Sequence, residues 1–142
     1  MLKHLILLIG IILSFGISSY FIFGASDSIR SENILDTNQT IINQQIIYPN
    51  GTAKITSAII IIPPNTQTGW HLHEALLYGY ILSGELTVDY GEKGTRMFNT
   101  GNALIEAMNW PHNGINTGDV DTKILVVFIS SDQVENTIIF EE

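Results

Sequence analysis

The sequence contains no cysteine. That removes disulfides, thiolate nucleophiles and cysteine-ligated zinc together, without fixing a compartment. Basic residues are scarce: six Lys and Arg stand against fourteen Asp and Glu, for a formal net charge of −8 at pH 7. Binding nucleic acid or an anionic membrane surface calls for clustered Lys and Arg, so neither partner is expected. There is no Gly-rich phosphate loop and no Gly-x-Ser-x-Gly elbow to expose a nucleophilic serine. Helical periodicity fades beyond residue 45. Histidine is sparse too, four residues in 142, but three of them (His71, His73 and His112) sit in two short stretches, with His4 apart.

What is present begins with a hydrophobic start. Lys3 precedes an apolar run from Leu5 to Ile17, then Ser18-Ser19 and a second apolar patch from Tyr20 to Ala25. A charged start, an apolar stretch and small residues describe a signal peptide. The 21 positions from Leu5 to Ala25 also match the ~20 residues of a membrane-crossing helix. Residues 1–25 are therefore read as one hydrophobic helix, either a cleaved signal or an uncleaved anchor. Gly16-Ile17-Ser18 fits the small-x-small cleavage pattern better than Phe23-Gly24-Ala25. With Lys3 the only early charge, the positive-inside rule places the remainder outside the cytoplasm: an exported protein, touching membrane only through this segment. Residues 26–44 are polar and read as a linker. Asn38-Gln39-Thr40 and Asn50-Gly51-Thr52 match the glycosylation sequon.

Residues 45–142 read as one β domain. Short runs rich in β-branched residues are predicted as strands at Gln45–Tyr48, Ala53–Ile62, Gly69–His73, Leu77–Leu82, Glu85–Tyr90, Thr95–Phe98, Ala103–Glu106, Asn113–Asn116, Ile124–Ser130 and Thr137–Phe140. Turn residues separate them: Pro49-Asn50-Gly51, Pro63-Pro64-Asn65, Ser83-Gly84 and Gly91-Glu92-Lys93-Gly94. Pro63-Pro64 cannot donate to a ladder, so the Ile59–Ile62 run must end there. The two-residue connection Ser83-Gly84 predicts a tight hairpin. Short strands without crossover helices fit an all-β, antiparallel closed barrel.

Residues i and i+2 of a strand face the same way, so His71 and His73 are able to aim two imidazoles at one point. Taken alone, a His-x-His is as compatible with two exposed or core-satisfied histidines. The wider pattern resembles the cupins. Their first motif runs Gly, five residues, His-x-His, three or four residues, Glu, six residues, Gly; this chain places Asn65, His71, His73, Leu77 and Gly84 there. Their second runs Gly, five residues, Pro-x-Gly, two residues, His, three residues, Asn; this chain places Gly101, Ala107, Met108, Asn109, His112 and Asn116 there. Asn65 and Asn109 replace glycines, and Asn is the next best residue in a left-handed backbone. Leu77 replaces the usual carboxylate ligand.

The resemblance implies a single antiparallel cupin β-barrel of jelly-roll type. It further implies one divalent transition metal ion (Fe, Mn, Ni, Cu or Zn) held by His71, His73 and His112, and a small-molecule ligand or substrate. Glu106 is the candidate fourth ligand, because alternation puts it on the same face as Leu104. A bulge that turns it outward, or a pairing with a buried Tyr or Trp, are the alternatives. Glu74 faces away by parity. Tyr78 or Tyr80 are candidate hydrogen-bond donors to the pocket, and Trp70, Trp110, Met108 and Phe128 candidate walls of its mouth. Oxygenation or isomerisation of a small molecule, a non-catalytic metal or ligand binder, and a degenerate cupin without metal remain open. The family also pairs through outer sheet edges, so a homodimer is carried forward.

Overall fold

The computed structural model describes residues 28–140. The hydrophobic N-terminal helix expected at residues 1–25 lies outside the described residues. Among those described, no helix is long and apolar enough to cross a membrane.

The described chain is built from β-strands and one 3₁₀ turn, Gly91–Lys93. The strands are β1 (Ala53–Ile62), β2 (His71–Leu72), β3 (Leu76–Ser83), β4 (Glu85–Asp89), β5 (Thr95–Asn99), β6 (Ala103–Ile105), β7 (Asn113–Ile115), β8 (Thr122–Ser131) and β9 (Ile138–Ile139). They form a four-stranded sheet β1-β8-β3-β6, a three-stranded sheet β5-β4-β7 and the pair β2-β9. Every strand pair is antiparallel, consistent with a cupin β-barrel. β1 has the bounds its sequence predicts, and Pro63 ends it where the ladder loses its donor.

The two larger sheets share one core. Leu77, Ile81, Leu104, Ile124 and Val126 from the four-stranded sheet pack with Leu86, Val88 and Phe98 from the three-stranded one. Burying each such side chain stabilises the fold by roughly 1.5–3 kcal/mol. β4 shows the clean half-buried pattern, with Leu86 and Val88 buried between Glu85, Thr87 and Asp89.

Two expectations need correction. Ser83-Gly84 does not close a hairpin: β3 pairs with β6 and β8, whereas β4 pairs with β5 and β7. The chain turns a corner there, from one sheet into the other. Gly84 has φ +79°, and a Cβ would stand 2.8 Å from the Asp121 carbonyl oxygen, so the corner admits only glycine. Nor is Gln45–Tyr48 a strand. Thr40 to Gln45 instead makes a turn docked on the barrel: the Ile41 amide donates to the Ile105 carbonyl, and Ile41 and Ile42 pack on the core. The Gln44 side chain donates to the Met108 carbonyl and accepts from the Met108 amide. The compact unit begins at Glu32.

Candidate metal centre

The two histidine stretches are joined through their backbones. His71 and His112 exchange both amide-to-carbonyl hydrogen bonds, at 3.0 and 2.9 Å, the closely spaced pairing of antiparallel strands. His73 is held against the second stretch by the Asn109 amide, which donates to its carbonyl at 2.8 Å. Asn65 and Asn109 carry φ of 57° and 50°, the left-handed conformation expected where the motifs have glycine. Asn116 is fully buried and ties loops together: its amide group donates to the carbonyls of Ile62 and Val120, and its Oδ1 accepts from the Gly118 amide.

The three imidazole centroids lie 4.5 to 5.0 Å apart, and one ring nitrogen from each falls within 4.8 Å of the others. Each Nδ1 meets a backbone carbonyl: Gly69 for His71 at 2.8 Å, Asn136 for His73 at 2.9 Å, Trp110 for His112 at 2.8 Å. A carbonyl oxygen only accepts, so each Nδ1 carries the hydrogen and each Nε2 keeps a lone pair. Burial reinforces the neutral form. It lowers all three pKa values, that of His73 to about 3, where the neighbouring His112 adds to the effect.

Glu106 faces inward with Leu104, as alternation predicts, and is 6% exposed. It also pairs with a buried tyrosine: Tyr90 donates its hydroxyl to Oε1 at 2.8 Å, and the Ala107 amide donates to the same oxygen at 2.7 Å. Oε2 is turned to the histidines, 3.9 Å from His112 Nε2, too far for a hydrogen bond. Burial raises the Glu106 pKa, and that of Tyr90 rises through burial and the adjoining carboxylate. Leu77 sits across the ladder, its carbonyl accepting from the Glu106 amide at 2.9 Å.

Three neutral nitrogen donors converge, with Glu106 Oε2 beside one of them, His112, at 3.9 Å. That donor set suits a divalent transition ion. Three nitrogens each ~2.1 Å from one ion lie roughly 3.0 to 3.6 Å apart, so the rings draw together when an ion binds. The residues present fit such an ion.

The centre floors a cavity of about 210 Å³. Of the candidate mouth residues, Phe128 lines it, its ring 5.5 Å from that of His73. Trp110 is engaged elsewhere, donating its indole N–H to the Tyr90 carbonyl, and neither Trp70 nor Met108 is in the lining. Tyr78 stands on the outer side of the sheet, beside Leu76 and Val127, and Tyr80 also lies outside the cavity lining. The tyrosine that reaches the site is Tyr90. Its parity with Leu86 and Val88 already marked it as inward. The three carbonyls behind the histidines left no mark in the sequence, because every residue has one.

The same architecture recurs among solved structures. The oxalate decarboxylase of Lactobacillus farciminis, in a formate complex, aligns with TM-score 0.53 at 23% identity over 61% of this chain and 26% of that one. DMSP lyase DddQ of Ruegeria pomeroyi aligns with TM-score 0.52 at 20% identity over 60% and 42%. The oxalate decarboxylase of Bacillus subtilis, described with Mn(II) centres, gives 0.50 at 21% over 61% and 24%. Such identities carry the fold and not the activity, and this chain spans less than half the length of each of these three. Among curated proteins none matches the sequence. The family model for the cupin domain matches residues 58–128, half of the chain, and that interval holds both histidine stretches and the strands that face them. The chain belongs to the cupin domain family.

Proposed function

We propose that this protein is an exported metal-binding cupin that acts on a small molecule, with His71, His73, His112 and Glu106 holding one divalent transition ion. The observation that carries the reading is the commitment of all three Nδ1 atoms to carbonyls while the remaining nitrogens share one end of a cavity. Second groups that fix the tautomer are a recurrent feature of histidine metal ligands. The carboxylate of the family's first motif, absent at Leu77, would come from the opposite side of the ladder through Glu106.

A bound ion supplies Lewis acidity and a place for a chelating substrate, as in dioxygenase-like or isomerase-like chemistry. The chain's own residues do the rest. Tyr90 and the Ala107 amide saturate Oε1 of Glu106, so Oε2 alone is free to ligate or to take a proton. The surrounding apolar side chains exclude water and strengthen every electrostatic interaction inside. Among Fe, Mn, Ni, Cu and Zn the donor set does not choose.

Elemental analysis of purified protein tests the centre. Near-stoichiometric metal is expected in the wild type and under a tenth of that in His71→Ala and His112→Ala; equal content in all three would remove the site and leave a cupin without metal. A non-catalytic binder is the second reading, because Glu106 is the one acid in the cavity lining. Metal-dependent dioxygen consumption with a catechol or enol favours the enzyme, and binding without turnover favours the binder. Export rests on the Leu5–Ala25 run and is checked by cell fractionation. A homodimer would pair through β1, a sheet edge that exposes Ile55, Ile59 and Ile61; sedimentation of Ile59→Lys, expected to be monomeric, checks it.

A further inference from the structure

Beyond the histidines and Glu106 the cavity lining is mostly apolar, with Thr68 and Thr137 its only hydroxyl side chains. Leu77, Leu86, Val88, Val126 and Phe128 surround the space, and no Lys or Arg is among its lining residues. Every described Lys and Arg, namely Arg30, Lys54, Lys93, Arg96 and Lys123, is exposed. Two glycines stand in the wall. Gly79 and Gly114 line it, and neither has positive φ, so the backbone does not demand glycine at either. A Cβ at Gly79 would come 3.2 Å from Leu104 Cδ2, and one at Gly114 3.3 Å from Thr68 Cγ2. At both positions glycine lets a neighbouring side chain, Leu104 or Thr68, pack close against the backbone.

From this lining we infer that the ligand is a small molecule with one metal-chelating, two-oxygen head and an uncharged apolar body, and that compact dicarboxylates are excluded. The inference rests on the metal-centre reading, since the ion anchors the head. A second carboxylate would be stripped of water among aliphatic side chains with no cation or amide to receive it, which is heavily unfavourable. An apolar body instead gains by leaving water.

The test uses two probes that share a 2-oxo acid head and differ in the tail. Full-length chain is loaded with Zn(II), its metal content measured, and then titrated by calorimetry with 4-methyl-2-oxopentanoate and with 2-oxoglutarate. The apolar tail is expected to bind at least about tenfold tighter. Equal affinity, or a preference for 2-oxoglutarate, overturns the inference while leaving the metal centre standing. Failure to take up zinc overturns both, and is seen in the metal content before any titration. Ile139 lines the rim and is 71% exposed, so Ile139→Arg is expected to keep its zinc and to narrow the ratio by bringing a cation to the mouth. Ile60, also in the lining at 39% exposure, supplies an independent variant, Ile60→Arg, with the same expected result. If the ratio is unchanged in both, the excluded charge is not what the walls discriminate, and the inference falls.

Discussion

The cavity has two unlike ends. At the floor the polar atoms are assigned: three Nδ1 atoms to three carbonyls, one carboxylate oxygen to Tyr90 and Ala107, and the other three ring nitrogens to one cluster. At the walls most side chains are Leu, Ile, Val and Phe, which pack without direction. The contrast teaches where substitutions should be felt. A hydrogen-bonded constellation fails when one partner is lost, since the buried remainder is left unpaired. A van der Waals wall loses in proportion to the atoms removed.

Breaking the floor gives the largest expected effect. Glu106→Ala should weaken metal affinity on the order of a hundredfold, and Leu77→Ala far less, measured by competition with a chelator; equal or reversed losses would return the fourth ligand to an open question.

Next comes acid. In metal-free protein burial lowers the pKa of all three histidines below the 6.5 of the unfolded chain. Their stabilising effect is whole above that pH and falls as the pH drops towards about 3, the His73 value, at about 1.4 kcal/mol per pH unit for His73 alone. The raised pKa of Glu106 acts in the opposite sense, one group against three. Urea midpoints between pH 7 and 4.5 should therefore fall in acid, less steeply once metal is added. A flat profile in the stripped protein would deny that the cluster is buried and neutral.

Tyr90→Phe removes one hydrogen bond and keeps the ring's packing, so a roughly tenfold loss of metal affinity with an unchanged far-UV spectrum is expected. Smallest is a change at the walls: Gly79→Ala should leave metal content alone and weaken an apolar-tailed ligand a few-fold, read by calorimetry. If Gly79→Ala instead strips the metal, the two ends are not independent.

Much of the floor was legible in the sequence. His71 and His73 lie two apart in a strand and His112 falls at the matching place of the second motif, and all three meet. Glu106 was placed inward by its parity with Leu104, and the tyrosine pairing raised as an alternative turned out to coexist with the inward carboxylate. The hairpin at Ser83-Gly84 misled because loop length limits which turn is feasible without saying which strand is the neighbour. Tyr78 and Tyr80 misled for a related reason. Alternation separates two faces of a strand but does not say which is the inside when both are apolar, as in β3 and β8.

The sequence by itself determined most of the strands, the break at Pro63 and the asparagine turns, that Glu106 shares a face with Leu104, and which three side chains bear nitrogen donors. These are local properties, written in a period of two and in residues that tolerate a left-handed backbone. Only the tertiary structure decided that Gly84 turns between sheets, that Tyr90 holds Glu106, that the carbonyls of Gly69, Trp110 and Asn136 set the histidine tautomers, and that a cavity lies against them. Each of those depends on which distant segment arrives alongside. Backbone carbonyls and empty space have no letter of their own.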